Sequence, residues 1–138
     1  MERDVIVDTG PLVAYLNGRD GWHEWAVARL SEIEAPLATC EPVLTEAAYL
    51  LRADARGSDA LMDMLDRGLL VLRFRLDDEV EHVRRLMKRY ADVPMSLADA
   101  CLVRMTEARR HAKLLTLDSD FRRYRRLGRQ VIPLIAPR

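Results

Sequence analysis

Short apolar runs alternate with stretches of helical spacing along most of the chain. Val5-Ile6-Val7, between Asp4 and Asp8, is a continuous apolar run, the pattern of a strand buried on both faces. Gly10-Pro11 then turns the chain into a helix, with Thr9 placed to cap it. Apolar residues recur at Trp22, Trp25, Ala26, Leu30 and Ile33, which predicts an amphipathic helix over Trp22 to Ile33. Leu37 to Cys40 reads as a weak second strand. Pro42 opens a helix running to Ala55, Gly57 breaks it, and Ala60 to Arg67 adds a turn or two. Leu69 to Phe74 reads as a third strand. The next helix starts at Asp77-Asp78-Glu79 and ends in Arg84, Arg85, Lys88 and Arg89, charges that match its dipole at both ends. Ser96 to Arg110 is a predicted helix, Lys113 to Leu117 a strand, Phe121 to Leu127 a short helix and Val131 to Leu134 a last strand. Such alternation favours an α/β fold around a mainly parallel sheet. No repeat, low-complexity tract or linker divides residues 1–138, so one domain is expected.

Composition narrows this picture. A hydrophobic content of 49% can fill one core, and a charged content of 32% argues against a membrane protein. No apolar run approaches the roughly 20 residues that span a bilayer. The N-terminal residues carry no export-signal pattern, so a reduced cytoplasmic setting is expected. Cys40 and Cys101 match no metal or redox spacing and read as small core residues. Net charge is zero but unevenly distributed. Arg104 to Arg138 carries ten basic and three acidic residues, whereas the first 103 residues carry twelve and nineteen. The densest basic stretch is Arg122-Arg123-Tyr124-Arg125-Arg126-Leu127-Gly128-Arg129, which can attract nucleic-acid phosphates or simply form a solvated helix face.

Four acids stand where charge is costly. Asp8 closes the first strand and Asp118 closes Leu114 to Leu117. Glu46 has Pro42, Val43, Tyr49 and Leu50 as helical neighbours, and Asp99 has Met95, Ser96, Leu102 and Val103; none is a base. A lone carboxylate on such a face costs several kcal/mol unless protonated, paired or metal-bound. Ordinary roles remain open for single members. Asp8 can cap the helix that follows it, Ser96 and Asp99 fit a capping box, and Asp118 or Asp120 fits a turn before Phe121. Together, Asp8 and Asp118 at strand ends mark the place where open α/β sheets bind ligands. His23, His82 and His111 lie outside these motifs and read as surface or packing residues. Trp22 and Trp25 read as core or dimer interface.

Asp8-Thr9-Gly10-Pro11-Leu12-Val13-Ala14 after Val5-Ile6-Val7 resembles the opening motif of PIN-domain ribonucleases. Thr45-Glu46-Ala47 resembles the second acidic motif, Ser96-Leu97-Ala98-Asp99-Ala100 the third, and Thr116-Leu117-Asp118-Ser119-Asp120-Phe121 the fourth. The order and spacing match over nearly the whole chain. The length is most similar to VapC-type toxins of bacterial and archaeal toxin–antitoxin pairs.

The resemblance implies a three-layer α/β/α sandwich with a parallel, five-stranded central sheet. It implies an endoribonuclease dependent on Mg²⁺ or Mn²⁺, with Asp8, Glu46, Asp99 and Asp118 as the acidic site and Asp120 as a second candidate for the fourth acid. Thr9 and Thr116 would offer hydroxyls, and Arg122, Arg123, Arg125 and Arg126 would flank the pocket as a substrate track. A cognate antitoxin, an RNA substrate and a homodimer are the implied partners. Oxygen-only ligands suit these ions, which lower the pKa of a water and offset charge growing on phosphate. A receiver-type phospho-acceptor domain fits poorly, because the third strand ends in Arg73-Phe74-Arg75 and the only lysines are Lys88 and Lys113. A PIN-like module that binds without cutting, or a solitary RNA-processing nuclease, remains the alternative.

Overall fold

The computed structural model describes residues 1–138. Five parallel strands form the central sheet in the order β3-β2-β1-β4-β7: β1 Val5–Val7, β2 Leu37–Thr39, β3 Leu70–Leu72, β4 Lys113–Leu115 and β7 Leu134–Ile135. Six helices flank it in a three-layer α/β/α sandwich: α1 Thr9–Leu16, α2 His23–Leu30, α3 Glu41–Leu50, α4 Ala55–Asp66, α5 Leu76–Arg89 and α6 Leu97–Ala108. The expected architecture is therefore the observed one. No helix is long and apolar enough to cross a membrane.

The sheet explains the sequence pattern. β1 is the middle strand, so Val5, Ile6 and Val7 have neighbours on both sides and both faces and are all buried. β2 and β4 lie beside it, with Leu37, Ala38, Leu114 and Leu115 buried. α6 contributes the largest helical share of the core, from Ala98 through Met105. Cys40 and Cys101 are buried and free, as small core residues.

Several boundaries differ from those expected, each for a local reason. Asp8, not Thr9, is the N-cap of α1, and its side chain accepts from Thr9 N. Gly57 does not break a helix; it lies in the first turn of α4, where its N–H donates to the Asp54 cap at 3.1 Å. A Cβ there would lie 3.0 Å from Leu51 Cδ2 and from Asp54 Oδ2, so glycine spares both side chains a shift. α3 consequently ends at Leu50 rather than Ala55. The predicted helix over Phe121 to Leu127 is a 3₁₀ turn, Ser119–Arg122, followed by a hairpin of β5 Arg125–Arg126 and β6 Gln130–Val131. Leu127 and Gly128 both adopt left-handed φ, at 50° and 83°, which reverses the chain and stops any helix. Val131 belongs to that hairpin, so the last sheet strand starts later, at Leu134.

Leu114 sits at full burial on the strand between β1 and β7. Leu114→Ala is expected to lower unfolding free energy by about 2–5 kcal/mol, read from the chemical denaturation midpoint at unchanged m-value.

Candidate functional site

Asp8 follows the last residue of β1, and the parallel register Val7↔Leu115 puts it beside the end of β4. Its backbone N–H donates to Leu115 O at 3.0 Å. Asp8 is only 7% exposed. Oδ1 accepts from Thr9 N at 2.7 Å and Oδ2 accepts from the Thr116 hydroxyl at 2.7 Å. Burial pushes the Asp8 carboxyl up to about 6; the two hydrogen bonds offset part of that, and the charges of Asp99 and Asp118 add to it. Gly10 lets α1 start close to this edge, since a Cβ there would lie 3.3 Å from Leu117 Cβ.

Thr116 joins the first and fourth motifs. While its hydroxyl donates to Asp8, its oxygen accepts from Asp118 N at 2.9 Å. Asp118 is exposed and caps the 3₁₀ turn, accepting from Asp120 N at 2.9 Å. The turn-capping role open to it in the sequence is thus real, alongside its charge on Asp8. Asp120 lies 3.9 Å from Arg123 Nη1.

Asp99 stands in the first turn of α6, where its N–H donates to the Ser96 cap at 3.0 Å. Its half-buried carboxylate accepts from the Tyr124 hydroxyl at 2.8 Å. Burial is the main cause that raises its pKa; hydrogen bonds to Tyr124 and Ser96 oppose this, and the charge of Asp118 adds to it.

Glu46 is exposed, which corrects the expectation of a core-facing position. The buried face of α3 is Val43 and Ala47, whereas Tyr49 and Leu50, the uncharged neighbours that suggested burial, are 61% and 55% exposed. Partial desolvation still raises the Glu46 pKa, followed by the charge of Asp99. Its side chain lines a cleft of about 900 Å³ with Thr45, Phe74, Arg75 and Ser96. The Thr9 hydroxyl is buried and closes no hydrogen bond, yet it stands near enough to Glu46 to favour the ionised form.

Asp8, Glu46, Asp99 and Asp118 have no basic side chain paired with them; the ion pairs of the molecule lie elsewhere. They act on one another electrostatically but do not converge as a closed cage. No three His, Cys, Asp or Glu side chains are gathered tightly enough to hold an ion by themselves.

The basic stretch behaves differently from the substrate track expected of it. Arg126 is 7% exposed, and its guanidinium donates to Thr106 O at 2.9 Å and Arg110 O at 3.0 Å, at the end of α6. It is a structural cap, not a surface cation. Arg125 Nη1 turns back onto the carbonyls of Arg122, Arg123 and Tyr124. Arg122 donates to Pro137 O at 3.1 Å, and Arg123 remains at the surface near Asp120. His23 Nδ1 packs 2.7 Å from Ala14 O, and Trp22, half exposed, stacks edge-on with Trp25.

Tyr124 is the residue that sequence reasoning passed over. Its one signal was a tyrosine interrupting a basic run, and only the fold brings it to Asp99.

The family model described as PIN domain matches residues 5–127. The chain belongs to the PIN domain family. Its fold is also similar to a crystal structure of Mycobacterium tuberculosis VapC20, a sarcin-ricin loop cleaving toxin, with a TM-score of 0.74 and 20% sequence identity over 84% of this chain and 91% of that one. Comparison with curated proteins returns no match. In this PIN domain Asp8 and Thr116 stand one residue past the carboxyl ends of β1 and β4, and Asp118 two residues beyond Thr116.

Two measurements follow from these environments. The Asp8 carboxyl has its folded pKa raised from 3.8 to about 6, so protonation of Asp8 stabilises the fold below about pH 4, and that stability, about 3 kcal/mol, is lost as pH rises through 6. Metal-free protein is therefore expected to melt higher at about pH 5.5 than at neutral pH, with the difference shrinking in Asp8→Asn. Arg126→Ala is expected to cost roughly 2–3 kcal/mol of stability by orphaning the buried Thr106 carbonyl and freeing the Arg110 carbonyl, against under about 0.5 for Arg123→Ala, as read by thermal melts.

Proposed function

We propose that this PIN domain is a divalent-metal-dependent endoribonuclease of VapC type, the toxin of a toxin–antitoxin pair acting in the cytoplasm. The observation that carries the reading is Asp8: a buried carboxylate at the end of the central strand, facing the charges of Asp99 and Asp118 with no cation beside it. Family membership and the fold shared with VapC20 support it.

The residues suit a hard divalent ion. All donors are oxygens, the acids lack counter-charge, and the buried Thr9 hydroxyl has no partner. Asp8, Asp99 and Asp118 are the ligands we assign, with Glu46 and Asp120 as further acids. An open arrangement suits Mg²⁺ or Mn²⁺, which usually keep several waters. When bound, such an ion lowers the pKa of a water and offsets phosphate charge. The chain's own residues do the rest. Thr116 and Thr9 N hold Asp8 in one orientation. Glu46, exposed to the cleft and with a raised pKa, is suited to accept a proton at its carboxylate. The free Thr9 hydroxyl can hold a water or a phosphate oxygen. Arg123 is the surface cation best placed to meet RNA backbone, and Arg122 and Arg125 would first have to leave their carbonyls.

One observation favours a second reading, a PIN module that binds RNA or a partner without cutting: the acids do not form a preassembled cage. An antitoxin and a homodimer are the partners expected of a toxin, and a solitary processing nuclease would lack the antitoxin.

A cleavage assay separates these. With Mg²⁺ or Mn²⁺ and a structured RNA that includes a sarcin-ricin-type loop, the native chain is expected to cut. Asp8→Asn and Asp99→Asn should each lower the rate by about 100-fold or more while staying folded, with Asp8→Asn melting no lower than the native chain at neutral pH. Metal-dependent cutting that survives both substitutions overturns the assigned site. Binding of RNA without any cutting establishes the second reading instead.

A further inference from the structure

The segment that follows the fourth acidic motif returns to the site by a second route. Tyr124 lies six residues beyond Asp118 and is fully buried. Its ring packs edge-on against Phe121 at 5.3 Å and Tyr90 at 5.0 Å between centroids. Its backbone is held on both sides. Tyr124 N donates to Asp120 O at 3.1 Å, and Arg125 N donates to the Tyr90 hydroxyl at 2.9 Å. Arg126 then anchors the strand to the end of α6. From this rigid frame the Tyr124 hydroxyl donates to Asp99 Oδ2 at 2.8 Å.

Building on the metal-nuclease reading above, we propose that Tyr124 is a positioning residue: its hydroxyl holds the Asp99 carboxylate in one orientation, so that a divalent ion drawing the acids together does not have to order this one. Asp99 has no basic partner; besides Ser96 at the cap of α6, the Tyr124 hydroxyl is the group that holds its carboxylate. A buried tyrosine needs some acceptor for its O–H, and here the acceptor is one of the family's acids. Hydrogen-bond partners of metal ligands commonly govern affinity by 10–100-fold. One short segment, Asp118 to Arg126, therefore supplies an acid and also the clamp on another.

The test is Tyr124→Phe, which removes one oxygen and keeps the ring. Mn²⁺ binding is followed by electron paramagnetic resonance of the free ion, with no RNA present, and thermal melting is recorded without metal. Tyr124→Phe is expected to melt close to the native protein and to bind Mn²⁺ about tenfold more weakly. The metal concentration for half-maximal RNA cleavage should rise by the same factor, while the rate at saturating metal changes much less. In an Asp99→Asn background, Tyr124→Phe should have no further effect on Mn²⁺ binding. A purely packing role, which the retained ring preserves, would leave both the melting temperature and Mn²⁺ binding (within twofold) at their native values, which overturns the proposal; so does an equal loss in the Asp99→Asn background. A native chain that binds no Mn²⁺ overturns the metal-nuclease reading and this inference together, whereas native binding matched by Tyr124→Phe overturns this inference alone.

Discussion

The parallel pairing of β1 with β4 is the constraint on which the site depends. It sets Val7 opposite Leu115 and so brings Asp8 and Thr116, each one residue past its strand, within hydrogen-bond reach. The pairing in turn rests on burial. β1 is covered on both faces and both edges, and slipping it by one residue would move its side chains to the other face. Asp8 is thus delivered into a place that a carboxylate would avoid, by apolar neighbours that have no alternative position.

The cost of that placement is only partly offset. A backbone N–H and a hydroxyl reach Asp8, but no cation does, and Asp99 and Asp118 bring further negative charge. The raised proton affinities of Asp8, Glu46 and Asp99 share one leading cause, desolvation, and like charge reinforces it. Perturbed acids of this kind concentrate at functional sites. The arginines that are numerous nearby do not fill this role. Arg122, Arg125 and Arg126 donate to main-chain carbonyls of Pro137, of the turn before the hairpin and of the end of α6, so these arginines are spent on holding the chain.

Much of the fold was legible because its elements are strongly patterned. The all-apolar β1, the charge-matched α5 and the Ser96-capped α6 each carry a local signal that tertiary contacts only reinforce. The region after Asp118 was misread. Its arginines and tyrosine have helical propensity, but Leu127 and Gly128 take left-handed backbone and turn the chain into a hairpin that is held by distant partners, Glu107 and Arg89. Gly57 was misread for the opposite reason: glycine signals a break, and here it permits Asp54 to cap a helix that continues.

For the site itself, the sequence alone determined which family the chain points to and which acids stand in its motifs, because motif order and strand ends are local properties of the chain. It did not determine how each acid is held. Uncharged neighbours around Glu46 described one turn of helix, and whether that turn faced the core depended on what packed against it; Val43 and Ala47 took the buried face instead. Tyr124 on Asp99 and Arg126 on Thr106 join residues 25 and 20 positions apart, and only the closing of the hairpin onto α6 brings them together. Hydrogen bonds between residues that distant depend on how the elements pack, which no local pattern of residues encodes.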